Sequence, residues 1–298
     1  MRILILGGDG MLGHQLFLSL KKHHDVRVTL HQDAESYKKY NLFYPSNSYF
    51  NIDVRDDNHL LPIFSDFKPQ VLVNSVGLVK QRSLATAAIP NIEINTLLPH
   101  RLALFCEQFN ARFVHISTDC VFSGRRGYYT ESDPSDAEDL YGKSKFLGEV
   151  NAQHCITLRT SFIGLELSRK TSLLEWFLAQ KGEIKGYRRA IYTGVSTLEM
   201  SNIIEAILSE HPYLTGVWHV ASNSISKYDL LMRLMKLLGR DDIHIHPDDD
   251  FTCDRSLDGH AFSKATGYQI PDWNDMLDQI AFQIKQRNKS QLKHVALG

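Results

Sequence analysis

The chain has 298 residues, 43% of them hydrophobic, and its 33 basic and 34 acidic side chains leave a net charge of −1. That composition supports a sizeable core, and the charge balance excludes broad attraction to nucleic acid or an anionic membrane. The four cysteines, Cys106, Cys120, Cys155 and Cys253, form no C-x-x-C pair, which argues against a disulfide framework or a cysteine zinc site. No apolar run approaches bilayer length and the first residues lack a signal-peptide layout, so a soluble cytoplasmic protein is expected.

The chain opens MRILILGGDGMLGHQLFLSL. Ile3–Leu6 reads as a short buried strand, and Met11–Leu20 carries apolar residues at helical spacing. Gly7, Gly10 and Gly13 therefore occupy the turn between them. Glycine there permits positive φ and close approach, and a helix N-terminus offers free N–H groups to a pyrophosphate. The spacing G-x-x-G-x-x-G is one residue off the dinucleotide fingerprint, so by itself it is a weak signal.

Further strands are expected at Val26–Leu30, Ser48–Ile52, Val71–Val76, Arg112–Thr118 and Cys155–Thr160. Helical patterns lie at Asn58–Phe67, Asn91–Phe109 and Leu140–Val150. This alternation implies an α/β fold with a doubly wound parallel sheet of the Rossmann type. Ligands on such sheets bind at the carboxyl ends of the strands, where Gly7, Asn74 to Gly77 and Ser117 to Asp119 fall. Beyond about residue 160 the pattern loosens. Helices are expected at Ser172–Gln180, Leu198–Ser209, Ser226–Leu238 and Trp273–Lys285, and strands at Ala190–Thr193 and Val217–Ala221. Residues 1–160 are read as a dinucleotide-binding domain and 161–298 as a smaller, interwoven substrate lobe, with a frayed tail from about 287.

The stretch EDLYGKSKFLGE sets Tyr141 and Lys145 four apart on one helix face. A tyrosine ordinarily titrates near pH 10, and a nearby ammonium lowers that value. So tuned, it can protonate a carbonyl oxygen as hydride arrives. Ser117 and Thr118, at the end of the preceding strand, are placed to hydrogen-bond the same oxygen. Singly, each of these is as readily an exposed helix pair, a cap or a turn. Their order after a glycine turn favours chemistry.

With those residues in view, the sequence resembles the extended short-chain dehydrogenases/reductases, and within them the dTDP-4-dehydrorhamnose reductase family, over nearly the whole chain. The resemblance rests on GGDGMLG, NIDVRD, VNSVG, STDCVFSG, YTESD and YGKSKFLGE, with weaker echoes in STLEM and DRSLDGHAFSKATGY. It implies that Tyr141 is the proton donor, that Lys145 tunes it and holds the nicotinamide ribose, and that Thr118 binds the substrate carbonyl. It implies that Gly7, Gly10, Met11, Leu12 and Gly13 cradle the pyrophosphate. Asp53 and Val54 would meet adenine, and Ser75, Val76 and Gly77 would line the adenosine side. Cys120 departs from the family, where a tyrosine often follows Thr-Asp. The implied reaction is NAD(P)H-dependent reduction of the 4-keto group of a nucleotide-linked 4-keto-6-deoxyhexose for polysaccharide synthesis, with a homodimer possible. The alternatives are an epimerase or dehydratase of the same superfamily, or a regulatory subunit like the β subunit of methionine adenosyltransferase.

NADP(H) is the expected cofactor, with NAD(H) possible. The tip of the second strand reads His31-Gln32-Asp33, with no early acid to hold both ribose hydroxyls, and Lys38 and Lys39 follow. Arg169, Lys170, Lys185, Arg188 and Arg189 are candidate cations for a substrate diphosphate. His244, His246 and Asp248 to Asp250 suggest an exposed strand edge and acidic turn rather than a metal site.

Overall fold

A computed structural model describes residues 1–79 and 86–295, the side chains of 290–295 aside. Seven parallel strands form the central sheet: β1 (Arg2–Leu6), β2 (Asp25–Thr29), β3 (Ser48–Tyr49), β4 (Val71–Asn74), β5 (Arg112–Ile116), β6 (Cys155–Arg159) and β10 (Gly216–His219). Their spatial order is β10-β6-β5-β4-β1-β2-β3. The chain winds outward from β1 to β3 and then returns to β4 on the other side of β1. That reversal opens a crevice beyond the carboxyl ends of β1 and β4, the place where doubly wound sheets bind ligands.

Alternating side chains of β1 feed two separate cores. Ile3 and Ile5 join a cluster with Leu12, Leu16 and Phe17 of α1 (Met11–Leu20) and Ile203 and Ile207 of α8 (Thr197–Ser209). Leu4 and Leu6 join Leu60 and Phe64 of α3 (Asp57–Phe67) and Leu102 and Cys106 of α5 (Leu98–Gln108). A strand covered on both faces has no polar alternation, so β1 reads as a continuous apolar run. Helix α2 (Ala34–Tyr37) follows β2, and α4 (Ala88–Asn91) runs into α5 through a π-helical turn, Ile92–Leu97. Helix α6 (Leu140–Leu147) stops at Gly148 rather than at Val150.

The later part of the chain adds α7 (Leu173–Ala179), α9 (Lys227–Leu238), α10 (His260–Thr266) and α11 (Trp273–Val295). A two-stranded pair joins β7 (Phe162–Ile163) to β9 (Val195–Ser196). A three-stranded sheet has β8 (Gly182–Tyr192) between β11 (Ile225–Ser226) and β12 (Ile243–Asp254). Strand β8 is far longer than the expected Ala190–Thr193. Much of its length is exposed, and it is held by β12 through backbone pairing and ion pairs, Lys185 to Asp248 at 2.9 Å and Arg188 to Asp249. The acidic turn expected at Asp248 to Asp250 is thus a bulged stretch of β12. Helix α11 continues to Val295, through most of the stretch expected to fray; residues 296–298 lie outside the described residues. Among the described residues, no helix is long and apolar enough to cross a membrane.

Candidate active site

The glycine turn is built by contact as much as by conformation. Gly7 has φ +79°, and a Cβ on Gly13 would lie 2.1 Å from the Gly7 carbonyl oxygen, so α1 approaches β1 only because that side chain is absent. Gly10 is different. It caps α1 in extended conformation, and a Cβ there would meet only the Gly7 oxygen, at 3.2 Å. Gly10, Met11 and Leu12 open onto a cavity of about 330 Å³ at the sheet's carboxyl edge. Ser75, Val76 and Gly77 form part of its wall. Ser75 Oγ donates to the Leu6 carbonyl at 2.6 Å, which ties the β4 turn to the end of β1.

Thr118, Tyr141 and Lys145 meet at the same cavity. Asp139 caps α6 by accepting from the Gly142 N–H at 2.8 Å, which puts Tyr141 in the first turn. A Cβ on Gly142 would stand 2.2 Å from the Cys120 carbonyl oxygen, so this glycine lets the helix settle against the loop after β5. A hydrogen bond joins the Thr118 side chain to the Tyr141 hydroxyl. Thr118 Oγ1 also accepts from the Cys120 N–H at 3.2 Å, which fixes its rotamer.

Two expectations are corrected here. Burial, the largest influence, raises the Tyr141 phenol above its ordinary value, and the Thr118 bond opposes this only in part. The expected lowering by Lys145 is not found: its ammonium is buried and donates to the Ile116 carbonyl oxygen at 2.6 Å. Desolvation brings Lys145 down to about 8, with the Glu149 charge pulling upward. Ser117 lines the cavity beside Thr118 as expected, but its hydroxyl, expected to meet the substrate oxygen, donates to Glu149 Oε1 at 2.6 Å.

Asp53 and Val54 stand outside this cavity's wall. The Asp53 carboxylate is taken by Arg55, through Nη2 at 2.6 Å and Nε at 2.9 Å, and that contact draws it down to about 2. Lys38 pairs with Glu35, and Lys39 lies over the Tyr40 ring at 5.1 Å. Of the basic residues considered for a diphosphate, Arg169 reaches the cavity wall, 3.6 Å from Asp9 of the glycine turn.

Other residues of the site gave little sequence signal. Asn95, buried in the π-helical turn, accepts from the Leu78 N–H at 2.9 Å and donates to Ser144 Oγ at 3.2 Å, joining the β4 turn to α6. Glu166 accepts from the N–H groups of Thr171 and Ser172 at 2.7 and 2.9 Å, shaping the loop that carries Arg169. Asp119 accepts from Ser161 at 2.9 Å and from Thr118 at 3.3 Å.

Known proteins are similar to this chain. The chain is 26% identical to the spore coat polysaccharide biosynthesis protein SpsK of Bacillus subtilis, over 80% of each. It is 26% identical to the dTDP-4-dehydrorhamnose reductase of Aggregatibacter actinomycetemcomitans, over 78% of each. It is also 25% identical to methionine adenosyltransferase 2 subunit beta of Danio rerio, over 83% of this chain and 76% of that one. The crystal structure of a dTDP-4-dehydrorhamnose reductase from Clostridium acetobutylicum superposes with a TM-score of 0.78 at 22% identity, covering 96% of this chain and all of that one. That of the Bacillus anthracis dTDP-4-dehydrorhamnose reductase in complex with NADP gives 0.76 at 20% identity, covering 95% and 99%. The family model described as the RmlD substrate binding domain matches residues 1–285, and the chain belongs to that family, one of NAD(P)-dependent oxidoreductases of the extended short-chain dehydrogenase/reductase type.

Proposed function

We propose that the protein reduces the 4-keto group of a nucleotide-linked 4-keto-6-deoxyhexose, in the making of a deoxysugar donor for polysaccharide. The observation that carries this reading is the hydrogen-bonded pair of Thr118 and Tyr141, set with Lys145 on a cavity that also receives the N-terminus of α1. NADPH, or NADH, would lie against Gly10, Met11 and Leu12 and the 75–77 turn, and would supply the hydride to C4. Tyr141 keeps its proton at neutral pH because burial disfavours the phenolate. It can therefore deliver that proton to the keto oxygen as charge develops there. Thr118 holds the same oxygen. Lys145, on the same cavity, offers its ammonium to the nicotinamide ribose.

On this reading residues 1–160 carry the dinucleotide and the later lobe covers the sugar nucleotide, although β10 returns to the central sheet. The sugar nucleotide and its reductant place the work in the cytoplasm. We also propose that a second copy of the chain covers the exposed apolar residues of the π-helical turn, α5 and α6: Leu97, Leu104 and Leu147, which are 49%, 64% and 61% exposed, and Phe146. Apolar surface of this kind marks an interface.

A dehydratase is less well supported. Cys120 follows Asp119 where a second carboxylate would serve as base, and both Asp119 oxygens are already engaged. A purely regulatory role, as in the methionine adenosyltransferase relative, gives the Thr118–Tyr141–Lys145 set no task. The test is oxidation of NADPH by the purified protein with a panel of 4-keto sugar nucleotides. Turnover with one of them supports the reading, and inertness with all of them in a protein that binds NADPH contradicts it.

A further inference from the structure

Thr118 and its neighbour Ser117 both line the cavity, and the Ser117 hydroxyl donates to Glu149 at 2.6 Å. Glu149 lies four residues beyond Lys145, just past the end of α6. Its carboxylate is gripped by Arg159 of β6, with Nε to Oε1 and Nη2 to Oε2 each at 2.8 Å. The two side chains are only 6% and 5% exposed. Behind them Arg159 Nη1 donates to His219 Nε2 at 3.2 Å, and His219 Nδ1 donates to the Tyr129 carbonyl at 3.1 Å. Burial and the Arg159 charge hold His219 down at about 4, so it stays a neutral acceptor.

A sealed ion pair of this kind is seldom worth its desolvation for stability alone. Its position gives it a use. Lys145 sits in a pocket that opposes its charge. His115 of β5, fully buried and 3.3 Å from Asn74 Nδ2 through Nδ1, lines one side and Tyr141 of the same helix another. Lys145 donates to the Ile116 carbonyl oxygen and the next residue, Ser117, donates to Glu149, each at 2.6 Å, so the Glu149 carboxylate is held next to the ammonium it favours, with Arg159 behind it in the opposite sign.

We propose that Glu149 is a positioning residue of the reduction: pinned by Arg159, it anchors Ser117 in the cavity wall and holds a negative charge beside Lys145. The effect on turnover rests on the function proposed above. The effect on the charge of Lys145 does not, and is read on the protein without substrate.

The experiment is a pH titration of 13C-labelled lysine by NMR, with the Lys145 signal assigned through Lys145→Met. In Glu149→Gln the Lys145 midpoint should fall about tenfold in proton affinity, or one pH unit. In turnover, the alkaline limb of the reduction profile should move down with it, while KM for the sugar nucleotide changes less than kcat. If Arg159, left without its counter-charge, prevents folding, Glu149→Gln/Arg159→Met removes the orphaned guanidinium, and the midpoint should still fall, by less. A Lys145 midpoint that holds or rises in the folded variant overturns the proposal. A protein that reduces no 4-keto sugar leaves this titration readable, so the two claims fail separately.

Discussion

Lys145 donates to the carbonyl oxygen of Ile116 at 2.6 Å, and so its ammonium is anchored to the end of β5 rather than left to swing toward Tyr141. This anchor explains how a lysine is tolerated at 4% exposure. It also sets a measurable cost. The Lys145 pKa is about 8 in the fold and lies below its usual value of 10.5 when unfolded. Between those two values the unfolded chain binds more protons, so this group's contribution to stability rises with pH across that window. Below about 8 the penalty is full. Lys145→Met should therefore be more stable than the parent at pH 7, by roughly 1–3 kcal/mol from a shift of this size. The gap should close as pH approaches 10.5. Urea titrations of both proteins at several pH values check it, and a gap independent of pH contradicts it.

Gly10 and Gly13 should respond differently to substitution. A side chain at Gly10 points into the cavity and meets little protein, so Gly10→Val should fold and lose dinucleotide binding by at least about tenfold, or 1.4 kcal/mol. Gly13→Ala would drive a methyl into the Gly7 carbonyl and should lower stability by several kcal/mol, in the manner of overpacking. Fluorescence titration with NADPH beside thermal melts separates the two outcomes.

Arg169, in the loop before α7, pairs with Asp9 of the glycine turn. A carboxylate beside a pyrophosphate site repels its ligand unless a cation offsets it. Arg169→Met should weaken NADPH and NADH alike by roughly 5–20-fold, about 1–2 kcal/mol for a partly exposed ionic contact. Adding Asp9→Asn should restore part of the loss. Equal losses in the single and double variants would show that the two residues act independently.

Much of this was legible in the sequence. Apolar and β-branched runs named all seven strands of the central sheet to within a few residues, because strands buried on both faces are largely apolar. The glycines and the Tyr-x-x-x-Lys spacing located the cavity. Lys38 and Lys39 were read from proximity along the chain; in the fold Lys38 pairs with Glu35 and Lys39 lies over the Tyr40 ring. Only the Ala190–Tyr192 end of strand β8 was foreseen, because backbone pairing and cross-strand charges hold the rest, and neither leaves a hydrophobic period. The phenol of Tyr141 was read in the wrong direction because spacing records neighbours and not burial. The partner of the Ser117 hydroxyl was missed for a related reason, since Glu149 is 32 residues away.

The apolar face of α5 and α6 predicts association. Leu104→Glu with Leu147→Glu should convert a dimer to monomers in sedimentation velocity while leaving the helical spectrum unchanged. A parent protein that sediments as a monomer at tens of micromolar would contradict this assignment.

The central claim is that Tyr141 protonates the keto oxygen. The most direct measurement is single-turnover reduction of a 4-keto-6-deoxyhexose nucleotide by Tyr141→Phe, beside NADPH titration of the same variant. The account predicts a rate lower by roughly 10² to 10⁴, the usual worth of a positioned acid, with NADPH affinity within about threefold of the parent, under 0.7 kcal/mol. A variant that binds NADPH normally and reduces the sugar at the parent rate would contradict it.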